Sequence, residues 1–270
     1  MQLKLWGVRG SIPTPVEGHL KYGGNTTCVE VRTTEEILII DAGSGARDLG
    51  KRLQADLGYP CIDLHFLMTH FHWDHIQGLP YFPPIYSPGT EIKFYSAKPS
   101  EELQTILEGQ MKAPYYPIEL IDTPSLKSYQ QIGPEPFRGC GVTAHPFPLN
   151  HPQGATGYRI EADGVVVTHA SDLEHGDHKF DLTLREYAQN ADVLIYDAQY
   201  TPEEYISHKG WGHSTWLEAA NVARDCNVEQ LILFHHDPRH NDQFMDSILR
   251  DARKHFENTE IAREGLEIVL

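Results

Sequence analysis

Short apolar runs recur along the whole chain. They are LKLWGV, CVEVRT, EILIID, IDLHFLMT, EIKFYS, GVTAHPFP, TGYRIEA, GVVVTHA, DVLIYDA, EQLILFH and LEIVL. Several are rich in Val, Ile and Leu and stop at a polar residue, the pattern of a buried strand. Between some of them the apolar spacing turns helical. PSEELQTILEGQ opens with a Ser suited to an N-cap. HSTWLEAANVARD contains Thr215-x-x-Glu218, a capping box. In NDQFMDSILRDARKHF, residues Phe244, Met245, Ile248, Leu249, Ala252 and Phe256 share one helical face. Strands dominate the first half and helices come later, which predicts two sheets packed together with helices outside, in one domain over residues 1–270. Residues 81–139, rich in proline, tyrosine and glycine, read as an irregular insertion of the kind that covers sites. Its Phe82, Tyr86, Tyr115 and Tyr116 could wall a substrate pocket or simply pack.

Composition narrows the picture. The chain has 270 residues, 40% of them hydrophobic, enough for a full core. A formal charge of −16 supplies no long-range attraction to nucleic acid or to an anionic membrane. No apolar stretch approaches the roughly 18 residues that span a bilayer. The first ten residues lack a continuous apolar run, so no signal peptide is expected. Cys28, Cys61, Cys140 and Cys226 form no C-x-x-C pair and read as free thiols in a reducing, cytoplasmic compartment.

The chemistry gathers where strands end. THFHWDH, residues 69–75, follows the apolar run 62–68 and places His70, His72, Asp74 and His75 within six positions. Burying such groups without partners costs several kcal/mol, roughly 2–7 for a neutral polar group and more for a carboxylate. His151 follows FPLN, Asp172 follows VVVTHAS, His235 and His236 follow LILF, and Asp41 ends ILII. Folding that gathers these ends would build a site for Zn²⁺, Mn²⁺ or Fe²⁺. The donors suffice for two ions. His70, His72 and His151 would hold one; Asp74, His75 and His235 would hold the other; Asp172 would bridge them. Such a pair, about 3.5–4 Å apart, acidifies a shared water and stabilises charge on phosphoryl oxygens.

These motifs resemble those of the metallo-β-lactamase-fold hydrolases. THFHWDH matches the family's T-H-x-H-x-D-H motif, DAGSGARDL looks like the motif before it, and His151, Asp172 and His235 follow in the family's order. The resemblance covers nearly the whole chain. It implies an α/β, four-layer αββα sandwich with two metal ions at one edge. It places Asp41 in the usual acidic position and favours His235 over His236, which remains the alternative ligand. GHSTWLEAA and NHPQGATGYRI resemble the phosphodiesterase branch that includes ribonuclease Z and cyclic-phosphate phosphodiesterases. That likeness implies that His213 contacts the scissile phosphate or protonates the leaving oxygen, with Asp74 completing the metal pair and acting in catalysis. Many such relatives are homodimers. In ribonuclease Z a long tRNA-gripping arm lies between the later motifs; here only a short hairpin separates Gly157 from Asp172. A small cyclic phosphodiester is therefore the expected substrate. Hydrolysis of esters, thioesters or lactams, or a non-enzymatic metal-binding role, are the alternatives. Arg9, in the opening WGVRGSIPTP, would meet a phosphate or form a surface ion pair, and the glycines around it would let backbone approach the metal edge.

Overall fold

The computed structural model describes residues 1–34, 36–57, 62–139 and 141–270. β1 (Gln2–Gly7), β2 (Cys28–Arg32), β3 (Ile37–Ile40), β4 (Asp63–Leu67), β5 (Glu91–Ser96) and β6 (Leu126–Gln131) form one sheet. β7 (Phe137–Gly139), β8 (Val142–Leu149), β9 (Ala155–Ala162), β10 (Val165–Ala170), β11 (Val193–Asp197), β12 (Gln230–Phe234) and β13 (Thr259–Ile261) form a second. β14 (Glu267–Val269) returns to pair with β1 at the edge of the first sheet. The helices are α1 (Ala46–Leu57), α2 (Trp73–Ile76), α3 (Ser100–Gly109), α4 (His178–Ala188), α5 (Pro202–Tyr205), α6 (Trp216–Asp225) and α7 (Asp242–Ala252).

Three apolar clusters define four layers. Leu5, Val31, Ile40 and Leu67 meet Ile160, Val167, Ile195 and Phe234 between the sheets. Phe66 and Phe94 carry the outer face of the first sheet, covered by Leu49 and Leu53 of α1 and Leu103 and Leu107 of α3. Leu194, Leu231 and Leu233 do the same for the second sheet, under α4, α6 and α7. Central strands such as β3 and β11 are buried on both faces, which is why ILII and VLIYD read as unbroken apolar runs. The αββα sandwich expected from the sequence is the fold observed.

Local details differ. Ser100 is the first helical residue of α3, not its cap, and its hydroxyl accepts the Gln131 amide. Thr215 does cap α6 through the Glu218 amide, but the Glu218 side chain reaches Arg185, so the reciprocal half of the box is missing. The complete capping box is Thr201–Glu204 at α5. On α7, Met245, Ile248 and Ala252 are buried, whereas Phe244 leans outward against His240. The segment 81–139 is more ordered than its composition suggests. It supplies β5, α3, β6 and β7, extending the first sheet by two strands and the second by one. Cys28 and Cys226 are free and buried; Cys61 and Cys140 lie outside the described residues. Among the described residues no helix is long and apolar enough to cross a membrane.

Strand direction positions the chemistry. β3, β4 and β5 run parallel, as do β10, β11 and β12. β8 and β10 each pair antiparallel with β9 and so run together. The C-terminal ends of both sheets therefore share one rim. The Tyr158 hydroxyl, fully buried in the second sheet, donates to the Met68 carbonyl of the first at 2.7 Å and pins the two at that rim. Tyr158→Phe leaves this carbonyl unpaired. We expect it to lower the free energy of unfolding by about 1–3 kcal/mol in chemical denaturation.

Candidate metal centre

The rim brings together every metal-type residue singled out in the sequence except His236. Donor atoms of His70, His72 and His151 lie within 4.8 Å of one another, and so do those of Asp74, His75, Asp172 and His235. A third group of the same tightness joins Asp172 and His235 to Asp197 and His213. The Asp172 carboxylate is central, with His75 Nε2 at 3.1 Å, His235 Nε2 at 3.3 Å, His70 Nε2 at 3.8 Å and His151 Nε2 at 4.0 Å.

Three of the imidazoles are oriented from behind. Asp41 accepts hydrogen bonds from His75 Nδ1 at 2.7 Å, from the Thr69 amide at 2.8 Å and from the Thr69 hydroxyl at 2.7 Å. Gln199 Oε1 accepts from His235 Nδ1 at 2.9 Å. The Gly212 carbonyl accepts from His151 Nδ1 at 2.8 Å. These bonds fix the tautomers and turn the Nε2 atoms toward Asp172. Glu174 locks the loop behind His151: its carboxylate accepts from the Gly210 and Gly212 amides and from the Tyr205 hydroxyl. The Ser11 amide donates to Asp74 at 2.7 Å. His213 Nδ1 donates to Asp197 at 2.9 Å, and its ring lies nearly parallel to that of His235, 5.0 Å away.

The backbone is bent to make this arrangement. Asp41, Asp172 and His235 have φ of 60°, 62° and 61°, and Ser11 and Gln153 have 65° and 67°. A left-handed conformation is uncommon for residues with a side chain, and each such position costs on the order of 1–3 kcal/mol. At His235 the turn out of β12 separates the two adjacent histidines. His236 bonds the Ala262 carbonyl at 2.8 Å and stays out of the cluster. A Cβ on Gly10 would collide with the His235 ring and with Gln199 Oε1, so here a glycine does let backbone meet the site.

The donor set fits a divalent cation. His70 Nε2 and His75 Nε2 are buried without a hydrogen-bond partner among the described residues. Such orphaned nitrogens are costly unless an ion meets them. Burial pushes the pKa values of His70 and His151 down, which keeps them neutral and able to coordinate. Burial also works against charge on His75 and His235, but the surrounding carboxylates outweigh it. His75 rises well above its usual range and His235 to about 9. Asp74 and Asp172 resist burial in turn, because their histidine neighbours hold them well below the usual carboxylate range. A pocket that draws protons onto two buried rings has the field for a metal ion.

Other expectations meet different outcomes. Arg9 is fully buried and donates to the carbonyls of Gly23, Asp237 and His240, so it neither faces the rim nor forms a surface ion pair. Phe82 belongs to the core under α1, Tyr86 and Tyr116 both bond the Pro80 carbonyl, and Tyr115 is exposed. Asp197, Gln199 and Glu174 also serve the site, although no motif in the sequence marks them. Asp197 had the same signal as Asp41, an apolar strand ending at an aspartate.

The sequence profile described as "Beta-lactamase superfamily domain" matches residues 37–236. Ribonuclease Z of Bacillus cereus (strain AH187) is 38% identical over 89 residues, which is 33% of this chain and 29% of that protein. The match thus spans less than a third of that relative's length. Ribonuclease Z of Leuconostoc mesenteroides subsp. mesenteroides is 26% identical over 98% of this chain and 95% of that one. The structure of the metallo-beta-lactamase fold protein YhfI from Bacillus subtilis superposes with a TM-score of 0.74 at 18% identity, covering 99% and 98% of the two chains.

Two outcomes are expected. Asp41→Asn removes the anion that orients His75 and should weaken metal binding by roughly 10–100-fold in a chelator competition. Metal uptake near neutral pH should release protons, since His75 and His235 must lose theirs to coordinate. Calorimetry in two buffers of different ionisation enthalpy reads that release, and affinity should fall as the pH is lowered.

Proposed function

The chain belongs to the β-lactamase superfamily domain family and has the metallo-β-lactamase fold; from that premise we propose that it is a hydrolase, a metal-dependent phosphodiesterase. Its substrate would be a small, cyclic phosphodiester such as a cyclic nucleotide. The observation that carries this reading is the His213–Asp197 pair at the edge of the histidine and carboxylate cluster. The full-length likeness to ribonuclease Z supports it.

Two ions fit the donor set, with zinc first among the candidates because imidazoles dominate. His70, His72 and His151 would hold one, and Asp74, His75 and His235 the other, with Asp172 shared. When bound, such ions polarise phosphoryl oxygens and acidify coordinated water. The protein's own groups do the rest. Asp197 holds Nδ1 of His213, leaving Nε2 to face the substrate. In its protonated form His213 donates from Nε2 to the departing oxygen as the phosphorus–oxygen bond breaks. The Ser11 amide steadies Asp74, and Gln199 holds His235, so neither needs to reorganise as charge develops.

A small substrate accords with the −16 charge. It also accords with the β9–β10 hairpin, whose strands are joined by Asp163 and Gly164 alone. Thioesters and lactams are the competing substrate class on the same ions. Turnover of a phosphodiester chromogen well above that of thioester and cephalosporin chromogens is expected, and the reverse order would overturn the proposal. His213→Ala should leave metal content unchanged while phosphodiester turnover falls by about 10²-fold or more.

A further inference from the structure

We propose that the groove beside the metal-type cluster binds the non-leaving substituent of the substrate, and that this substituent is an uncharged aromatic or apolar group. The inference rests on the phosphodiesterase reading of the site. A cavity of about 1090 Å³ opens directly from His70 and His72. It runs between the two sheets, from the segments after β5 and β6 on one side to β8, the start of β9 and α4 on the other. The Asp197–His213 pair is not among its lining residues, so the groove leaves the cluster on the side of His72 and not through the candidate proton donor. A phosphodiester has two ester oxygens, and in a cyclic diester both belong to one organic group, which stays on phosphorus through one of them when the other departs. If His213 serves the oxygen that departs, the group that stays on phosphorus is the one this groove can take.

The lining chemistry selects that group. Phe71, Ile106, Pro148 and Tyr187 present apolar surface. Tyr187 is held flat by stacking on Phe147, with ring centroids 4.6 Å apart and planes within 8°. Such a rigid ring offers a face for an aromatic guest. Charge is balanced. Lys98 and Glu186 are the charged Lys, Arg, Asp or Glu side chains along the lining, and the Lys98 ammonium is already engaged by Glu102 at 2.7 Å. A second phosphate in the groove would find no free cation there among the described lining residues. A nucleic-acid strand leaving the site by this route would lack the backbone contacts on which its binding depends. Near the entrance the Gln153 amide, its Oε1 3.4 Å from His72 Nε2, is an uncharged group suited to the link between phosphate and substituent.

Binding of simple diesters, titrated while the injected ester is checked to remain intact, tests this apart from turnover. Diphenyl phosphate, dimethyl phosphate and 4-carboxyphenyl phenyl phosphate would be titrated calorimetrically into the metal-replete protein. Diphenyl phosphate should bind at least about tenfold more tightly than dimethyl phosphate, the gain expected from burying one aromatic ring. The added carboxylate should cancel about tenfold of that gain, since no free cation meets it. Ile106→Ser and Tyr187→Ala, each first checked for a native melting transition, should bring the diphenyl-to-dimethyl ratio below about threefold and leave dimethyl phosphate affinity within about twofold. A flat ratio in the parent protein, a ratio that survives in whichever variants fold, equal binding of the carboxylated ester, or no binding of any diester would each overturn the proposal. Loss of chromogen turnover alone would instead count against the phosphodiesterase reading.

Discussion

Everything at the rim depends on one buried carboxylate. Asp172 is almost wholly removed from water and sits within 4.0 Å of imidazole nitrogens from His70, His75, His151, His213 and His235. An isolated carboxylate there would cost several kcal/mol or take up a proton. The ring of histidines keeps it anionic, and it in turn faces the Nε2 atoms of His70, His75, His151 and His235. Its neighbours are tied in as well: the Ser171 hydroxyl donates to it, and its own amide donates to Asp197. The result is an anionic focus around which cations, protons or metal, must collect.

Topology makes that focus affordable. Parallel strands deliver their C-terminal residues to the same edge, so residues from position 41 to position 235 meet without long loops. The loops that do exist are braced. Glu174 clamps the segment carrying His213 and, through the Gly212 carbonyl, sets His151. Gly10 and Ser11 press from the first loop against His235 and Asp74. The orientation of each candidate ligand therefore rests on atoms that are not ligands themselves, the arrangement that gives metal sites their precision.

Much of this was legible in the chain. The run from His70 to His75 has too many coordinating groups, too close to a buried strand, for an ordinary core, and Asp41, His151, Asp172 and His235 repeat the strand-end signal. The layered sandwich followed from apolar runs that end in polar residues. Illegible parts share a cause: their meaning arises only from long-range contact. Asp197 looks like any strand terminus until the loop at His213 returns to it, 16 positions later. Arg9 reads as a surface charge because sequence does not reveal that three carbonyls wait for it inside. Composition made residues 81–139 look irregular, yet pairing with β4 imposes β5 and then β6. The choice between His235 and His236 turned on a left-handed residue, which strict strand alternation does not foresee.

The left-handed backbone at Asp41, Asp172 and His235 has an evolutionary corollary. Each of these residues occupies a conformation that glycine or asparagine would adopt with less strain. Their side chains are kept against that local preference. A descendant relieved of its chemistry would have no further need to hold these side chains in that conformation, so the identity of positions 41, 172 and 235 would record, in any related chain, whether selection still holds the rim to its task.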